Sequence, residues 1–94
     1  MHVGICKAFL TISESYSLKE KRRVVKSIIA RLKNQFNVAV GEVDALDVHQ
    51  RAVLGIVSVS NDSAHLNRVL SKAINFIETN GLAELTDYEI EFIY

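Results

Sequence analysis

The apolar residues change period along the chain, and the order of those changes limits the fold more than any other feature. They alternate over 2–12, recur at three- and four-residue spacing over 18–36, and alternate again over 38–43 and 51–60. Helical spacing returns over 66–77, and alternation closes the chain over 83–94. No proline interrupts any run, so each can persist as one element. The order is therefore β-α-β-β-α-β.

Within the first strand, Gly4, Cys6, Ala8, Leu10 and Ile12 share one face, and Val3, Ile5, Lys7, Phe9 and Thr11 the other. Both faces are mostly apolar, which predicts a central strand. The third strand, 51–60, is two-sided in the same way. Ser17 opens the first helix, because Ser17 and Glu20 fit the S-x-x-E capping box. Leu18, Val25, Ile28, Ile29, Leu32 and Phe36 form its apolar stripe, and the helix should end near Asn34–Gln35. Asn61 or Asp62 can cap the second helix, and Asn80-Gly81 is a good stop. In the last strand Tyr88, Ile90, Phe92 and Tyr94 lie on one face, with Asp87, Glu89 and Glu91 on the other.

Two right-handed crossovers interleave most simply as an α+β ferredoxin-like sandwich. Four antiparallel strands form one sheet with both helices on one face, and strands one and three are central. Residues 1–94, 49% apolar, suffice for a single domain with one core. The other sheet face is left bare, carrying either Val3, Ile5 and Phe9 or the even-numbered residues of the first strand. A contiguous apolar face of this kind predicts a homodimer. No apolar run reaches the ~18 residues of a membrane span and no signal peptide is legible, so a cytoplasmic protein without membrane contact is expected. The single cysteine excludes an internal disulfide and a cysteine-based zinc site.

Charge cancels over the chain but not along it. Residues 1–40 hold eight basic side chains and two acids, and residues 41–94 hold three basic side chains and nine acids. Such asymmetry points to a polyanion or to a complementary chain. Seven residues between 19 and 33 are Lys or Arg. At about 100° per residue, Lys19, Arg22, Arg23, Lys26 and Lys33 fall on one flank beside the apolar stripe. Lys21 and Arg31 lie outside that sector. Lys19 with Arg23, and Arg22 with Lys26, are like-charge pairs four apart. Several of these cations also sit at the positive end of the helix dipole. A phosphate backbone resolves both conflicts, and the helix N-terminus at Ser17 can hold one further phosphate. The flank is thus expected to bind RNA, as structured RNA read by shape, or a ribosomal subunit. An acidic protein partner is the alternative.

The stretch SLKEKRRVVKSII (17–29), followed by FNVAVGEVDALDVHQRAVLGIVSVSND (36–62), resembles the YlxP-like family of small bacterial proteins of unknown function. The resemblance spans the whole chain. It implies a ferredoxin-like fold, a cytoplasmic bacterial protein, and a genomic setting among translation and ribosome-maturation genes. No catalytic residues come with it. Matching positions include Ser17, Lys19, Lys21, Arg22, Arg23 and Lys26 in the helix, and Glu42, Asp44, Asp47, Gln50, Arg51, Gly55, Asn61 and Asp62 beyond it.

Other chemistries of this topology find little support. Acylphosphatase catalysis, as its family pattern requires, needs a glycine-bearing phosphate loop with an arginine after the first strand. Here that turn is SESYS. Base stacking on strands one and three needs aromatics, and only Phe9 is present. An amino-acid sensor would need a glycine-rich first loop. Asp44, Asp47 and His49 in the second connection could dock a partner or hold a divalent metal, although their spacing fits no dedicated ligand loop. No nucleophile–base pair, P-loop or dinucleotide motif appears. The reading is a non-enzymatic protein without a cofactor, with small-ligand or metal sensing as a further alternative.

Overall fold

A computed structural model describes residues 1–93. The elements run β1 (His2–Thr11), α1 (Leu18–Gln35), β2 (Ala39–Asp44), β3 (Arg51–Ser60), α2 (Ser63–Thr79) and β4 (Glu84–Ile93). The four strands form one antiparallel sheet in the order β2-β3-β1-β4. This is the expected ferredoxin-like α+β sandwich, with β1 and β3 central. The sequence-based bounds agree to within a residue or two. Tyr94 lies outside the described residues.

The period-two pattern of β1 resolves into a covered even-numbered face and an open odd-numbered one. Gly4, Cys6, Ala8 and Leu10 are buried beneath the helices, whereas Lys7 is exposed on the opposite face. Small residues on this strand let α2 come close. A Cβ on Gly4 would stand 2.5 Å from Leu70 Cδ1, inside van der Waals contact, so any larger residue would force the Leu70 side chain aside. Leu54 and Ile56 of β3 complete the floor of the core. Ile28 and Leu32 of α1, with Leu70, Ala73 and Ile77 of α2, form its roof. Phe36 and Phe76 meet edge-on at 6.2 Å between ring centroids and close the far end.

Caps and turns set the element ends. Asp62, rather than Asn61, caps α2, its Oδ1 accepting from the N–H groups of Ala64 and His65. Gly81, at φ +79°, supplies the left-handed residue beyond that helix. Ser58 Oγ donates to the Asn37 carbonyl at 2.7 Å and ties the α1–β2 turn to β3. Two register shifts interrupt the sheet, one between Glu42 and Asp44 and one between Phe9 and Leu10. Among the described residues, no helix is long and apolar enough to cross a membrane.

Candidate nucleic-acid interface

Helix α1 packs over β2, at the opposite edge of the sheet from β4. Its buried positions are Lys21, Val25, Ile28 and Leu32, which share an arc of about 60° on the helix. Lys19, Arg22, Arg23, Lys26 and Lys33 occupy a separate arc of about 100°, and all five are exposed. Among the described residues, none of them has a carboxylate within 4 Å. From Lys19 to Lys33 the row extends about 21 Å along the axis. Of the β4 acids, Asp87, Glu89 and Glu91 lie on the far edge strand, whereas Glu84 at its start borders the first turn of α1.

The flank is not uniform. Arg23 lines a cleft of about 620 Å³ beside the first turn, together with Glu14, Glu20 and Glu84. Its surroundings are therefore acidic, unlike the rest of the row. Ser17 caps the helix as the sequence indicates, but the Glu20 carboxylate reaches one residue beyond the cap, to Tyr16. Ser17 Oγ accepts from the Glu20 N–H at 3.1 Å, and Glu20 Oε2 accepts from the Tyr16 N–H at 2.8 Å. A phosphate arriving at Ser17 has to share the turn with that carboxylate.

Lys21, which the sequence leaves outside the basic sector without a role, turns inward. It is fully buried, at 0% exposure. Its Nζ lies 2.7 Å from Glu42 Oε2, and the Glu42 side chain is 15% exposed. That approach falls outside hydrogen-bond alignment, leaving an ionic contact. The aligned hydrogen bonds of Nζ go to the carbonyls of Ala45 at 2.6 Å and Leu46 at 3.4 Å. One buried ammonium thus fixes the start of the β2–β3 loop, where Ala45 takes the left-handed conformation at φ +57°, a strained region for a residue with a Cβ. The signal was present in the sequence. Lys21 falls within the core arc of the helical wheel, and a buried ammonium needs a buried carboxylate. Glu42 follows by alternation, since it pairs with Leu54 on the helix-covered face.

The acidic loop does not assemble a metal site. Asp44, Asp47 and His49 are all exposed, and Asp44 Oδ1 accepts from the Ala45 N–H at 2.7 Å. Among the described residues, no group of three or more His, Cys, Asp or Glu side chains is placed to hold a metal ion. Elsewhere, burial pushes the Cys6 thiol up to about 11. At neutral pH it is a protonated, buried thiol rather than a nucleophile. The N–H groups of His65 and Ala64 hold the Asp62 carboxyl below its usual range, which is the signature of a cap.

Residues 3–90 match the family model described as a protein of unknown function, DUF503. The chain belongs to the DUF503 family. A similar relative is the uncharacterized protein YlxP of Bacillus subtilis (strain 168). It is 35% identical over 77 residues, which cover 82% of this chain and 84% of that protein. The resemblance carried by segments 17–29 and 36–62 is thereby confirmed. Both members of the buried pair, Lys21 and Glu42, lie within the span that matches the DUF503 model.

Proposed function

We propose that this DUF503 protein is a non-enzymatic cytoplasmic accessory that binds ribosomal RNA or a ribosomal subunit. Lys19, Arg22, Arg23, Lys26 and Lys33 make the phosphate contacts. The observation that carries the reading is the separation of charge by burial. The lysine that turns inward receives a carboxylate, while five cations on the outer flank stay exposed and without one. They form a row about 21 Å long. Such a row can meet several successive phosphates and release their counterions. Strand β3 offers no aromatic platform, so recognition rests on backbone and shape rather than on stacked bases.

The test is co-sedimentation with purified ribosomal subunits on a low-salt gradient, with Arg22→Glu/Lys26→Glu as the control variant. Co-migration of the wild type and its loss in a variant with an unchanged circular dichroism spectrum support the reading. Absence of co-migration overturns it. So does recovery of a protein partner from nuclease-treated extract in undiminished amount, which would assign the flank to an acidic protein surface.

A further inference from the structure

We infer that the helix-free face of the sheet pairs with the same face of a second copy of this chain. Cross-strand register lays this face out in rows. Val59 and Val3 stand beside Ile93, and Ala39, Val57 and Ile5 lead to Glu91. Val57, Val59 and Ile93 are 37%, 51% and 45% exposed, and half-buried Val3 joins Val59 to Ile93 in one apolar row. In the next row Gly55 is followed by Lys7 and Glu89. Val43, 54% exposed, folds over Gly55, where an added Cβ would lie 2.8 Å from its Cγ1. The bulge at Val43 thus adds one more apolar group to the patch.

Charge and area select the occupant. Asp87, Glu89 and Glu91 run down the β4 margin of this face, which disfavours a nucleic acid or an anionic lipid surface. Lys7 stands in the middle of the face beside Glu89, with no ion pair among the described residues. Each copy therefore offers both an ammonium and a row of carboxylates, as a self-complementary interface requires. The chain has no net charge to keep copies apart. Four strands about 4.8 Å apart, up to ten residues long at ~3.3 Å each, give a face of about 600 Å² in plan. That lies at the lower end of the roughly 600–1,000 Å² per partner that specific interfaces bury. The helices, and with them the basic flank, stay on the outer surfaces.

Sedimentation equilibrium of nuclease-treated protein at tens of micromolar tests this independently of any RNA. The wild type is expected at twice the 10.5 kDa of one chain. Val57→Asp is expected at the single-chain mass. Gly41→Glu provides a second variant, because a Cβ there meets nothing within 4 Å of its own chain and the carboxylate projects from the bare face. It too should be monomeric, with an unchanged melting temperature at low concentration. A monomeric wild type overturns the proposal, and so does a dimer that survives both substitutions.

Discussion

A lysine with no solvent exposure is expensive unless its charge is answered, and at Lys21 the answer comes from 21 residues downstream. Removing one member of a buried pair leaves the other charge unpaired and costs about 3–5 kcal/mol, whereas replacing both with apolar groups is often neutral. Lys21→Met is therefore expected to lose about 3–5 kcal/mol in urea unfolding, and Lys21→Met/Glu42→Leu to regain most of it. Equal losses in the single and double variants would show that the ammonium matters through its bonds to the Ala45 and Leu46 carbonyls and not through Glu42. Alternation on β1 divides its side chains into two sets, but both sets are mostly apolar, so only the packed helices decide that Gly4, Cys6 and Ala8 are the covered set. Lys21 was harder. Its residue type says surface, its angle on α1 says core, and only the partner at Glu42 decides between them.

Helix α1 carries two opposed instructions. Its ends are well specified: Ser17 caps it through the Glu20 N–H, Glu20 returns to the Tyr16 N–H, and the helix stops at Gln35, where the sequence indicates. Its outer flank works against it, since like charges four residues apart each cost about 0.2–0.5 kcal/mol. Arg22→Gln/Lys26→Gln removes one such pair without touching the core. This variant is expected to gain a few tenths of a kcal/mol in urea unfolding while binding subunit RNA more weakly. A variant that is less stable would show that these cations support the helix and are not held for a ligand. Neither bulge was legible, at Val43 or opposite Phe9 and Leu10. A bulge inserts one residue without changing composition or breaking the apolar pattern on either side. The acidic loop illustrates the same limit. Asp44, Asp47 and His49 are close in sequence, yet backbone direction at Ala45, set by Lys21, governs where they point.

Across the whole molecule, charge follows architecture. The chain runs from a basic first half to an acidic second half, and the strand order β2-β3-β1-β4 places α1 over one edge and the β4 carboxylates at the other. The cancelled net charge thus hides a separation across the sheet. A polyanion is drawn to the α1 side and turned away from the β4 side, and pairing through the bare face leaves that preference intact. Topology was legible because six segments of alternating and helical period admit few right-handed arrangements. The polyanion itself was not, since a basic row specifies phosphate spacing and nothing about sequence. The salt dependence of binding to ribosomal RNA tests this central claim most directly. Five phosphate contacts predict a slope of log K against log salt between about −3.5 and −4.5, or a loss of roughly 100- to 500-fold from 50 to 200 mM. Arg22→Gln/Lys26→Gln should make the slope shallower by about 2. A slope near zero, or one unchanged by that substitution, would contradict the account.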